Sequence, residues 1–156
     1  MIFSIKLENS RENIKMNEKN AKFNFVSDEW VGQAKIILND LVTEFGKEGV
    51  SFSVCETFTD APKDIDASGI ASWHFYIDGK EVRVGKGKTE NTDVKINFDY
   101  VKANVIAKVI YTDKMVAKQK EETAKALETL EKAGKDFKEP PDYLSELHNR
   151  LALVTV

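Results

Sequence analysis

The chain has 156 residues, 42% apolar and 31% charged, with 23 Lys and Arg against 26 Asp and Glu for a net charge of −3. That length suits one soluble domain over 1–156 that buries roughly two-thirds of its unfolded surface and needs neither disulfide nor structural metal. The charge balance excludes the broad basic footprint of a nucleic-acid partner, the single Cys55 excludes an internal disulfide, and no window reaches the roughly 20 apolar residues of a membrane span.

The amino terminus, MIFSIKLENSRENIK, carries charge by its sixth residue and has only a very short apolar run. It does not read as a secretory signal, and with one thiol the cytoplasm is the expected compartment. Residues 1–22 are largely polar and read as an appended arm. From Ser27 the pattern sharpens. Ser27 is placed to cap a helix, Asp28 and Glu29 suit its positive end, and Trp30, Ala34, Ile37, Leu38, Leu41 and Phe45 recur at helical spacing until Gly46 and Gly49.

Val50, Phe52, Val54 and Phe58 then alternate with Ser51, Ser53, Cys55 and Thr57, the period of a strand with one buried face. A loop, DAPKDIDASG, leads to a second alternating run through Trp73, Phe75 and Ile77. Asp78-Gly79 predicts a two-residue turn into KEVRVGK, a register that sets Phe75 opposite Val82, Trp73 opposite Val84, His74 opposite Arg83 and Tyr76 opposite Glu81. Asp93 to Phe98 supplies a further antiparallel candidate, after which Asp99 caps a helix carrying Val101, Val105, Ile106 and Ile110. Residues 113–134 are rich in strong helix formers with a thin stripe of Met115, Val116, Leu127 and Leu130, so they predict a surface helix with Lys118–Glu122 and Glu128–Lys132 pairs. Pro140-Pro141 ends that segment, and a short helix with Leu144, Leu147 and Leu151 on one side closes the chain.

The run IDGKEVRVGKG through DVKINFDYVKANVIA, preceded by SDEWVGQAKIILND, resembles the sterol carrier protein 2 domain, the nonspecific lipid-transfer family. The family has a helix, strand, glycine-bearing hairpin, strand and acid-capped helix in this order. The resemblance spans residues 23–111 as a core, and ELHNRLALVT is similar to the closing segment of some bacterial members. It implies an α+β fold, an antiparallel sheet of four to five strands covered on one face by helices, with an apolar tunnel between the layers. It also implies binding of lipid, sterol or fatty acyl groups with no cofactor. Residues 112–156 depart from it, because TDKMVAKQKEETAKALETLEKAGKDF is helical where the family has its fifth strand.

The aromatic row along the strands is either plain core or a ligand lining. Under the second reading the lining is Phe52, Val54, Trp73, Phe75, Val82, Val84, Phe98, Val105, Ile106 and Ile110. Glu56 shares the parity of Phe52, Val54 and Phe58. Facing the interior it would have a raised pKa and be able to bind a ligand hydroxyl or shuttle a proton, whereas a bulge near the strand end, the commoner outcome, turns it to water. His74 and His148 have no ligand-spaced partners, which argues against a metal, and GKGK at 85–88 lacks the frame of a phosphate loop. Cys55 reads as a structural thiol. The expected role is non-catalytic binding or transfer of a hydrophobic small molecule, with transient membrane contact and a homodimer as partner readings. An enzyme or accessory domain using Glu56 on a hydrophobic substrate, and a dimerisation module, are the alternatives.

Overall fold

A computed structural model describes residues 21–132, 134 and 138–156, so most of the expected 1–22 arm lies outside the described residues. Helix α1 (Asp28–Phe45) begins where the sequence places it, with Ser27 Oγ accepting from the Trp30 amide at 3.2 Å. Its apolar stripe buries Trp30, Ala34, Leu38, Leu41 and Val42, while the last stripe residue, Phe45, is left exposed against Tyr143. It ends at Gly46, where a Cβ would strike the carbonyl oxygens of Val42 and Gly79. Close approach of backbone, and not turn geometry, demands glycine there.

Strands β1 (Ser51–Thr59) and β2 (Ala71–Asp78) pair antiparallel, and β2 pairs antiparallel with β3 (Glu81–Lys86). The hairpin register differs from the expected one. Its loop is Gly79-Lys80, so Phe75 faces Val84, Trp73 faces Lys86, Tyr76 faces Arg83 and His74 faces Gly85. The displacement preserves which face each side chain occupies, because strand parity repeats every two residues. Gly79, at φ +62, supplies the positive φ at the first turn position that a type II′ turn requires.

Strand β4 (Val94–Asp99) is the larger correction. It pairs parallel to β1, so the sheet is a mixed one of four strands in the order β3-β2-β1-β4. The chain must travel from one edge of the sheet to the other in residues 87–93. Three strand spacings of about 4.8 Å amount to about 14 Å, well within the reach of seven extended residues. This segment crosses the back of the sheet as a strap. His74 Nδ1–H donates to Gly87 O at 2.8 Å, Tyr76 Oη lies 2.9 Å from Thr89 Oγ1, and Asp93 Oδ2 accepts from both the amide and the hydroxyl of Ser53. Beneath it the back face is small and buried, with Ser53, Cys55, Thr57 and Ser72 closed from solvent. Cys55 is therefore a structural thiol, packed on the side away from the helices.

Helices cover the front face. Helix α2 (Tyr100–Ala107) follows β4 directly, capped by Asp99 Oδ1 accepting from the Lys102 amide at 3.0 Å. It turns Tyr100 and Ala103 inward, anchored by Tyr100 Oη donating to Phe25 O at 2.6 Å, and leaves the expected core residues Val101 and Val105 exposed. Ile110 lies beyond its end and is exposed as well. Helix α3 (Asp113–Lys132) is the expected charged helix, with ion pairs Glu128–Lys132 and Glu121–Lys125; Lys118 and Glu122 do not form one. Among its described side chains it half-buries Val116, Thr123 and Leu127 along one face. Helix α4 (Leu144–Leu153) buries Leu147 and Leu151 and packs against α1. Among the described residues no helix is long and apolar enough to cross a membrane.

Candidate functional site

The front of the sheet is filled unevenly. Under α1 the packing is dense: Trp30 meets Trp73 edge-on at 5.0 Å, Phe25 meets Trp30 at 5.1 Å and Phe58 at 4.9 Å, and Trp73 leans on Phe75 at 5.4 Å. Over β1 and β4 the covering helix is α2, only eight residues long, and it faces the sheet with Ala103 and, one turn on, Ala107. Two methyl groups cannot reach the sheet as leucines would, and the space left is a cavity of about 580 Å³.

Its floor is Phe52, Val54, Glu56 and Phe58 of β1, Trp73 and Phe75 of β2, and Val94, Ile96 and Phe98 of β4. Ala103, Ile106 and Ala107 of α2 form one wall, and Leu144, Leu147, His148 and Leu151 of α4 the other. Tyr111, Thr123 of α3 and Pro140 complete it. Ile96 and Phe98 remain exposed at the β4 side, where no further strand among the described residues pairs with the sheet edge, so the cavity opens there. A second hollow of about 720 Å³ lies between Phe45, Tyr143 and Arg150, but Lys47, Glu139, Asp142 and Glu146 line it and it is a polar surface groove.

Of the lining expected from the sequence, Phe52, Val54, Trp73, Phe75, Phe98 and Ile106 come together in the cavity with Glu56. Val82 and Val84 do not reach it, because β3 lies at the far edge of the sheet, packed beneath α1. Val105 and Ile110 are on the outside of the molecule. Val94 and Ile96 share Phe98's parity and were readable as its neighbours, whereas Tyr111 and His148 carried no local signal, since tertiary packing alone brings them in.

Among the described residues Glu56 is the one carboxyl group in this lining. No bulge interrupts the β1–β2 register at Glu56↔Trp73, so the expected turn to water does not occur and strand parity holds the side chain inward. Trp73 Nε1–H donates to Glu56 Oε2 at 3.2 Å. Burial raises the Glu56 pKa above the ordinary carboxylate value, with the indole bond pulling weakly the other way. Across the cavity Tyr111 stacks on His148 with ring centroids 3.7 Å apart and planes 2° from parallel. The Tyr111 backbone is held by both amide ends of Asn149, at 2.7 and 3.0 Å. Burial raises the Tyr111 phenol, with a hydrogen bond to Gln119 pulling the other way. His148 Nε2 bonds Val109 O at 2.7 Å, and because a carbonyl only accepts, Nε2 carries the proton. Burial lowers the His148 pKa, so the ring is neutral at pH 7.

Comparison of the chain with protein-family models, with curated proteins and with solved structures finds no match. The site therefore speaks through its own chemistry. An apolar hollow with one uncharged-leaning carboxyl group is suited to enclosing an oily molecule and orienting one polar atom of it. Cys55, the only thiol, faces the opposite side of the sheet and cannot assist Glu56.

Proposed function

We propose that the protein binds, and carries, a hydrophobic small molecule such as a lipid, sterol or fatty acyl chain in the cavity between β1, β4 and the helices. The cavity of about 580 Å³, apolar on nearly every side and open at the β4 edge, is the observation that carries this reading. At roughly 30 Å³ per water-sized group it has room for about twenty such groups. A guest burying about fifteen methylenes gains about 12 kcal/mol, and loss of its freedom leaves about 8, a micromolar Kd. Selectivity in chain length is loose under this reading, set by volume.

The order α1-β1-β2-β3-β4-α2 supports placing the chain as a divergent relative of the sterol carrier protein 2 family, with α3 standing where that family has its fifth strand. The buried free Cys55 supports residence in a reducing compartment such as the cytoplasm. Phe98, Val101, Val105 and Ile110 are exposed, and the exposed Lys102, Lys108 and Lys114 fall among them in the sequence, a composition that favours transient contact with an anionic lipid surface during loading. Native mass spectrometry of gently purified protein, together with displacement of a fluorescent fatty acid, tests the binding. A stoichiometric apolar adduct is the expected result, and failure to take up any apolar probe overturns the reading.

A further inference from the structure

Resting on that reading of the cavity, we infer that the guest carries a single uncharged hydroxyl head, bound by Glu56, and that the site discriminates against fatty-acid anions of the same length. The geometry assigns the role. Glu56 projects from the middle of β1 into the hollow, and its Oε2 is already taken by the Trp73 indole. Oε1 makes no hydrogen bond among the described residues, and the side chain is only half-buried although it lies inside the protein, so its open surface is the one facing the cavity. A purely hydrocarbon guest expels the water that reaches that oxygen and leaves it without a partner, a cost that a guest hydroxyl removes.

The neighbours decide the charge of the head. Among the described residues no Lys or Arg lines the cavity. The other titratable groups there are Tyr111, ahead of α3, and His148 of α4, and neither is a cation at neutral pH. A carboxylate head therefore meets no positive partner, and it meets Glu56, with which it must share a proton. An ammonium head requires Glu56 to ionise in an apolar enclosure. A hydroxyl suits both protonation states, because it accepts from the acid and donates to the carboxylate.

The test is competition of 1-decanol, decanoate and decylamine against the neutral fluorescent probe N-phenyl-1-naphthylamine, with the whole chain at pH 7.5. Decanol is expected to displace the probe at least tenfold better than either charged homologue, and decanoate to weaken further as pH rises. Glu56→Gln, which keeps a donor and an acceptor, should retain decanol binding and bring decanoate to within about threefold of it. Glu56→Leu should bind decane more tightly than the wild type and decanol about tenfold more weakly. Equal binding of the three heads, a preference for decylamine, or unchanged selectivity in both variants overturns the inference while leaving the cavity as a binding site. Failure of all three ligands and of the probe itself overturns both.

Discussion

Replacing Ala107 by Phe should shrink the cavity while leaving the protein folded. Ala107 is half-buried and presents its methyl group to the hollow from α2, so a benzyl group grown from it enters empty space. The added ring displaces about a third of the available volume, which removes burial of about five guest methylenes, about 4 kcal/mol, and weakens binding by about three orders of magnitude. Its own burial contributes about 1.5–3 kcal/mol, offset by ordering and local crowding, so the unfolding free energy stays within about 1 kcal/mol of the wild type. Probe displacement and urea unfolding, run on the same preparation, give both quantities. An Ala107→Phe protein with a normal urea midpoint and wild-type affinity refutes the idea that guests occupy this space.

Other outcomes follow from single contacts. Glu56 holds its proton more tightly folded than unfolded, so its contribution to stability falls as pH rises from the unfolded carboxyl value through the raised folded one. Glu56→Gln should therefore melt higher than the unliganded wild type at pH 7 and equally at pH 4. His148 behaves oppositely: its folded pKa is lowered, so its stabilising contribution is complete above the unfolded imidazole value and is lost as pH falls through the folded one. It is common to both proteins and cancels in their difference. Thr155→Val removes the hydroxyl that accepts from Trp30 Nε1 at 3.0 Å and donates to Leu151 O at 2.7 Å, and should cost about 1–3 kcal/mol in denaturant unfolding. Asn104→Leu should stabilise by about 1 kcal/mol, because Asn104 Oδ1 is buried without a partner among the described residues. Val101→Asp combined with Val105→Asp should abolish co-sedimentation with anionic vesicles while leaving probe affinity unchanged.

Much of this molecule could be read from local patterns. Caps at Ser27 and Asp99 mark helix starts because their side chains satisfy amides three residues on, a purely local interaction. Strand parity put Phe52, Val54, Trp73, Phe75 and Phe98 on one face for the same reason. What escaped depends on contacts distant in sequence. The direction of β4 is set by the strap that ties Asp93 to Ser53, forty residues away, and alternation is the same in a parallel as in an antiparallel strand. The inward face of α2 is chosen by Tyr100 reaching Phe25, so apolar Val101 and Val105 lost to the alanines. Glu56 was misjudged because a bulge needs an extra residue that β1 does not contain.

The strap across the back of the sheet has a mechanical corollary. Residues of β1 and β2 are fastened to one connecting segment through Ser53, His74 and Tyr76, so the strands form a fixed jaw that has no slack to bow outward. Accommodation of a bulkier cargo has to come from the helical jaw, where, among the described residues, the ion pair that ties α3 to another element is the exposed Lys120–Asp142 at 3.3 Å. Capacity is thereby separable from foldability: side chains at Ala103 and Ala107 can be resized to admit longer or shorter occupants while the strand scaffold is left alone.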